Sequence, residues 1–136
     1  MTKSIIISDI HNRVGWIEEA LKSPILQPYD KIICLGDYFD DFHDTFNDII
    51  NSAKWLKQSL HKPNRIHLFG THDIWYRFPN NHFIMASGNT EEKMYVINNV
   101  LDLEDWDILR LFQYEQNFLI SNAGVHQYLI GQLCLI

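Results

Sequence analysis

Residues 32–40 have the sequence IICLGDYFD, in which four apolar residues, Ile32 to Leu35, lead directly into Gly36 and Asp37. A short run of apolar, partly β-branched residues that stops at a glycine is typical of a buried β-strand. The carboxylates of Asp37 and Asp40 therefore come just after the predicted strand. In α/β proteins, the positions just beyond the carboxyl ends of strands are where ligands bind.

Three other short apolar runs end in polar residues in the same way. They predict strands over residues 5–7, 66–69 and 118–121. Helical patterns separate the strands, over residues 13–22, 44–60, 91–101 and 105–112. This alternation predicts an α/β fold with a parallel sheet and crossover helices. The apolar residues from 125 to 136 predict a further helix.

The polar residues that follow the four predicted strands include the acids and imidazoles that bind metals. Because parallel strands end at one edge of a sheet, we expect these side chains to converge there. In chain order they are Asp9 and His11, then Asp37 and Asp40, then Thr71, His72 and Asp73, and then Asn122 and His126. The other histidines, His43, His61, His67 and His82, are predicted to lie at the surface or in loops, without a role.

Length and charge restrict the class of protein. The 136 residues predict a single domain spanning 1–136. The net charge of −6 argues against a broad nucleic-acid surface, because phosphate binding needs clustered Lys and Arg. The sequence contains no predicted membrane span or signal peptide, and the two cysteines, Cys34 and Cys134, are predicted to be buried free thiols. We therefore expect a cytoplasmic protein.

A cluster of carboxylates is costly unless a cation compensates it, because like charges a few ångströms apart repel. Mixed carboxylate and imidazole ligands suit Mn, Fe or Zn better than Ca. Two such cations about 4 Å apart can hold a phosphoryl group and activate a water for attack. The sequence therefore predicts a divalent metal site at the edge of the sheet.

Four blocks of this sequence resemble those of the calcineurin-like metallophosphoesterases. Residues 9–11 (DIH) resemble the Asp-x-His block of that family, and residues 36–40 (GDYFD) resemble its Gly-Asp-x-x-Asp block. Residues 70–73 (GTHD) and 121–125 (SNAGV) are similar to its Gly-Asn-His-Asp/Glu and His-Ala-Gly blocks. The resemblance implies a β-sheet core flanked by helices. It also implies hydrolysis of a phosphomonoester or phosphodiester, either a small molecule or a nucleotide, by metal-activated water.

Carried over residue by residue, the resemblance implies a metal-ligand set. Asp9 and His11 would bind the first metal, and Asp37 would bridge two metals. Thr71 and Asn122 occupy the positions that complete the second metal site in the family.

The resemblance also implies roles in catalysis. His72 would lie beside the scissile phosphate, where it either protonates the leaving oxygen or stabilises its charge. Asp73 would orient the His72 imidazole. Asp40 would hold one of the ligands in place.

The sequence departs from the family pattern mainly at the second metal. Thr71 stands where the family has Asn, Asn122 stands where it has His, and Asp41 replaces a frequent arginine. The Gly-His-x-His block near the family's end has no counterpart here, so the expected fold is incomplete at its C-terminal end. The first metal keeps three protein ligands, whereas the second keeps only oxygen donors.

Two alternatives to an active phosphoesterase follow from these departures. One is a catalytically silent relative that binds a ligand or partner through the same fold. The other is a purely structural domain, which leaves the clustered acids and histidines without an explanation. The apolar tail from Tyr128 to Ile136 also predicts self-association of the chain into a homo-oligomer. A truncated form of a longer protein would explain the missing block equally well.

Overall fold

The computed structural model describes residues 3–124. The predicted tail helix, His126, Cys134 and the proposed self-association segment lie outside the described residues. The α-helices and β-strands, in chain order, are β1 (Ser4–Ile7), α1 (Val14–Leu21), β2 (Lys31–Cys34), α2 (Phe46–Leu60), β3 (Arg65–His67), α3 (Ile74–Arg77), α4 (Glu91–Asn98), α5 (Leu103–Ile108), β4 (Gln113–Glu115) and β5 (Phe118–Ile120). None of the helices between residues 3 and 124 combines the length and the hydrophobicity that crossing a bilayer requires.

The first three strands form a parallel sheet in the order β1-β2-β3, which confirms the predicted α/β class. Ile6 pairs with Ile33, and Ile33 pairs with Ile66. The central strand β2 is the most buried, since Ile32, Ile33 and Cys34 are at most 1% exposed. A continuous apolar run is what a central parallel strand requires, because both of its faces are covered.

The long helix α2 supplies much of the core that supports the sheet. Thr45 and Asp48 form a capping box that fixes its first turn, close to the predicted start of the helix. Its buried face includes Ile49, Ala53 and Leu56. These residues recur at helical spacing, so one side of α2 packs inward while the other faces solvent.

The fourth predicted strand exists, but it is not part of the parallel sheet. β5 pairs antiparallel with β4 in a small hairpin. Gln116, with a φ of 54°, lies in the two-residue turn between them. Such a short connection favours local antiparallel pairing, whereas a parallel strand needs a long crossover. The sequence pattern located the strand correctly, and the expectation of four parallel strands was wrong.

The predicted helix over residues 105–112 is also shorter in the structure. It begins at Leu103 and ends at Ile108. Arg110 then continues the sheet beside β3. Its backbone N–H donates to the carbonyl of His67 (3.0 Å), and its carbonyl accepts from the backbone N–H of Phe69 (2.8 Å). These two bonds compete with the last helical turn, so the chain becomes extended there.

His67 is buried in a strand, which corrects its predicted place at the surface or in a loop. It is 3% exposed and lies at the end of β3. Its Nδ1 is 2.9 Å from the hydroxyl of Tyr38, and its Nε2 is 2.9 Å from the hydroxyl of Ser59. Burial, together with the nearby positive charge of Arg65, lowers the pKa of His67 to about 3.

The buried position of His67 predicts that the fold weakens in mild acid. The unfolded chain binds a proton at His67 below a pKa of about 6.5, whereas the folded chain stays neutral there until about pH 3. Between these values, the free energy of unfolding should therefore fall as the pH falls, by roughly 1 kcal/mol per pH unit. Urea denaturation at pH 7.5, 6.0 and 5.0 measures this slope.

The His67→Gln variant should show a flatter pH dependence than the unchanged chain, although it is less stable at neutral pH. The same substitution at the exposed His82 is the matched control and should leave the slope unaltered. An unchanged slope in His67→Gln would show that other groups cause the acid sensitivity.

Candidate metal centre

Three loops meet at the edge of the sheet where the parallel strands end. The loop after β1 carries Asp9 and His11, and the loop after β2 carries Asp37. One ligand atom from each of these three residues lies within 4.8 Å of the other two. The sequence prediction that they converge is therefore confirmed, and the group forms one candidate metal site.

The imidazole of His11 is oriented by a hydrogen bond to the backbone. Its Nδ1 lies 2.9 Å from the carbonyl oxygen of Phe39. Because a carbonyl oxygen can only accept, Nδ1 must carry the proton and donate it. Nε2 then keeps its lone pair, and this is the arrangement in which a histidine binds a metal.

The loops after β1 and β2 adopt a backbone conformation that is uncommon for residues other than glycine. Asp9, His11 and Asp37 have φ values of 51°, 40° and 53°, in the left-handed region. Each such residue costs on the order of 1 kcal/mol. Backbone hydrogen bonds hold the loops together: the N–H of His11 donates to the carbonyl of Asp37 (2.7 Å), and that of Asn12 donates to the carbonyl of Tyr38 (2.9 Å). Strain concentrated at a cluster of ligands is a common property of functional sites.

Two glycines let the loops after β2 and β3 approach closely. A Cβ added at Gly36 would overlap the backbone of Gly70. A Cβ added at Gly70 would overlap both the backbone N and the carboxylate of Asp37. No side chain fits at either position, so the two glycines leave the space that the Asp37 carboxylate occupies.

The side chain of Asp73 connects the loops after β2 and β3. Its carboxylate is fully buried and accepts hydrogen bonds from the backbone N–H groups of Asp37 (2.7 Å), Tyr38 (2.9 Å) and Gly70 (2.9 Å). Burial raises the pKa of Asp73 to about 7, although these N–H groups act in the opposite direction. The sequence assigned Asp73 to orient His72, but the structure places its carboxylate against the backbone of the two loops.

Asp40 is the carboxylate that contacts the His72 ring. Its Oδ2 lies 3.4 Å from Nδ1 of His72. Asp40 is itself held by the hydroxyl of Tyr76 (2.6 Å) and the amide of Asn89 (2.6 Å). The His72 ring lies edge-on to that of His11, with 5.2 Å between the ring centroids. Asp40 therefore positions an imidazole next to the candidate metal site.

Thr71 and Asn122 both contact the Asp37 carboxylate. The hydroxyl of Thr71 donates to Oδ1 of Asp37 (3.4 Å), and the side-chain amide of Asn122 donates to Oδ2 (3.1 Å). The backbone N–H of His72 also donates to Oδ1 of Asp37 (2.9 Å). The structure thus places Thr71 and Asn122 beside the Asp37 carboxylate, and their role as metal ligands stays a prediction.

The charges of the site favour a cation. Among residues 3–124, neither Asp9 nor Asp37 has a Lys or Arg nitrogen within 4.0 Å of its carboxylate. Asp37 is buried and Asp9 is exposed, so one side of the group is open to water. Two carboxylates and one imidazole nitrogen are a donor set that fits Mn, Fe or Zn.

Several residues around the site were not found from the sequence. Tyr76, Asn89 and Lys93 all contact Asp40. They lie 36 to 53 residues from Asp40 along the chain, in segments whose local pattern indicates only an irregular stretch and a helix. No sequence signal could have connected them to the site.

Comparisons of the chain with protein-family models, with curated proteins and with solved structures find no match.

Proposed function

We propose that this chain binds one divalent cation through Asp9, His11 and Asp37 and hydrolyses a phosphomonoester or phosphodiester. The convergence of these three ligand groups within 4.8 Å carries the proposal. The order of its sequence blocks, which resemble those of calcineurin-like metallophosphoesterases, supports the reaction class. Manganese, iron or zinc suits the donor set.

Three protein ligands leave coordination positions for water and substrate, as in catalytic metal sites. The open side of the group at Asp9 gives a small phosphoester or a nucleotide access to these positions. A second cation would have only the oxygen atoms of Asp37, Thr71 and Asn122. We therefore assign one metal per chain.

A bound divalent cation supplies Lewis acidity and lowers the pKa of a coordinated water. The residues of the chain supply the rest of the chemistry. His72, next to His11, either donates a proton to the leaving oxygen or stabilises its charge. Asp40 keeps the imidazole in place through Nδ1, so Nε2 is the nitrogen available to the substrate. Asp73 fixes the loops that carry Asp37 and Gly70.

A second candidate function is binding of a phosphorylated ligand or a partner without turnover. The observation that favours it is that the Thr71 hydroxyl and the Asn122 amide are both hydrogen-bonded to the Asp37 carboxylate. These bonds satisfy the three side chains without a second cation. The same fold would then hold a ligand but hydrolyse it slowly or not at all.

Release of nitrophenol from mono- and bis-nitrophenyl phosphate, with and without added Mn²⁺, distinguishes the two candidates. We expect turnover that depends on the metal and exceeds that of an Asp37→Asn variant at least a hundredfold, or about 3 kcal/mol of transition-state stabilisation. Turnover no higher than that of Asp37→Asn would contradict the enzymatic function and favour the binding protein.

Restoring the family residues at the second metal should increase the rate. The double variant Thr71→Asn and Asn122→His is expected to bind a second Mn²⁺ and to hydrolyse bis-nitrophenyl phosphate at least tenfold faster, about 1.4 kcal/mol. Metal content by elemental analysis and initial rates measure both effects. The exposed Asn117, changed to His, is the matched control and should alter neither. An unchanged metal content and rate in the double variant would show that positions 71 and 122 do not form a second site.

A further inference from the structure

Lys93 is a largely buried lysine whose ammonium group lies between two carboxylates. It stands in the first turn of α4, and its side chain is 14% exposed. Its Nζ lies 3.1 Å from Oδ1 of Asp40 and 2.8 Å from Oδ2 of Asp44. The side chains of Asp40 and Asp44 are 1% and 8% exposed. All three charges are thus held away from water and depend on one another.

Each carboxylate also contacts a different loop of the metal centre. Asp40 contacts Nδ1 of His72, in the loop after β3. Asp44 accepts a hydrogen bond from the side-chain amide of Asn12 (3.2 Å), the residue after His11. One ammonium group therefore connects the loops after all three parallel strands.

Removing the ammonium would leave two buried carboxylates that repel each other. An uncompensated buried charge is strongly unfavourable, so at least one carboxylate would turn toward water. Tyr76 and Asn89 still donate to Asp40, so the rest of its environment remains. What the chain would lose is the fixed distance between the carboxylates of Asp40 and Asp44. The positions of His72 and Asn12, which these carboxylates contact, would then no longer be fixed.

We propose that Lys93 is a positioning residue of the metal centre. Its ammonium fixes Asp40 against His72 and Asp44 against Asn12, and so sets the relative placement of the His72 ring and the His11 loop. The effect on turnover rests on the proposed function, whereas the effect on loop order does not.

The test compares Lys93→Met and Lys93→Arg with Lys57→Met as the matched control. Lys57 also bridges two carboxylates, those of Asp102 (3.0 Å) and Asp105 (2.6 Å), but it takes no part in the metal centre. Hydrogen–deuterium exchange of peptides that cover residues 9–12, 38–44 and 71–73 reports on loop order. Hydrolysis of bis-nitrophenyl phosphate with Mn²⁺ reports on turnover.

In Lys93→Met we expect exchange to be at least fivefold faster in all three loops. The value of kcat should fall at least tenfold with KM within twofold, because His72 acts on the leaving oxygen and not on binding. Lys93→Arg should restore kcat to within threefold, since a guanidinium can pair with both carboxylates. Lys57→Met should leave the exchange of the three loops and kcat unchanged. If Lys93→Met does not fold, Lys93→Gln takes its place with the same expectations.

Unchanged exchange in the three loops of Lys93→Met, or equal changes in Lys57→Met, would overturn the proposal. Absence of turnover in the unmodified chain would contradict the proposed function, and the exchange measurement would still decide the role of Lys93.

Discussion

Replacing Gly70 by alanine is expected to abolish detectable Mn²⁺ binding and to lower the free energy of unfolding by about 3 kcal/mol. The added methyl group would overlap the backbone N and the carboxylate of Asp37. The backbone of Asp37 cannot move freely, because its N–H is bonded to the buried Asp73 carboxylate and its carbonyl to the N–H of His11. The loops must then separate, and Asp37 moves away from Asp9. Isothermal titration with Mn²⁺ and urea denaturation measure the two effects.

Gly15 is the matched control for Gly70. It lies in α1, and a Cβ added there would meet no atom within 4 Å. Alanine at position 15 should therefore leave metal binding unchanged and increase stability by about 0.5–1 kcal/mol, since alanine is the better helix former. Metal binding by Gly70→Ala as tight as that of the unmodified chain would contradict the packing argument.

Replacing Asp73 by alanine should have the largest effect on stability, a loss of about 4 kcal/mol. Three backbone N–H groups, those of Asp37, Tyr38 and Gly70, would lose their acceptor in a fully buried place. An unsatisfied buried donor costs about 1–3 kcal/mol. Because domains of this size are stable by only about 5–15 kcal/mol, the variant should lose a large part of its free energy of unfolding. Urea denaturation, followed by circular dichroism, measures the loss.

Asp48→Ala provides the comparison for Asp73→Ala. The Asp48 carboxylate also accepts hydrogen bonds, from the N–H and the hydroxyl of Thr45, but it does so at the exposed start of α2. Water can replace its bonds, so its loss should be much smaller. A loss in Asp73→Ala no larger than that in Asp48→Ala would show that the buried acceptor contributes little.

The parallel sheet and the core of the candidate metal centre were predictable because both depend on short-range patterns. A run such as Ile32 to Leu35 specifies a buried strand, and Gly36 specifies where it stops. Once two strands are parallel, the residues just beyond their ends must share one edge. This constraint is enough to bring Asp9, His11 and Asp37 together without any knowledge of side-chain contacts.

The remaining features depend on contacts between distant segments. The pattern of Phe118 to Ile120 indicates a strand but does not specify its partner, which is β4. Likewise, the position of Asp73 next to His72 in sequence suggests that it orients the His72 ring. In the structure the Asp73 carboxylate instead accepts from the backbone of Asp37, and Asp40 is the carboxylate that contacts the ring. Lys93 carries no local signal at all, because a lysine on a short helix is ordinarily exposed.

Titration of the unmodified chain with Mn²⁺, after removal of any histidine tag, tests the metal centre most directly. The geometry of Asp9, His11 and Asp37 predicts one ion per chain, and binding about a hundredfold weaker in His11→Ala, with no change in His82→Ala. Absence of saturable binding, or equal affinity in His11→Ala, would contradict the assignment of these three residues as metal ligands.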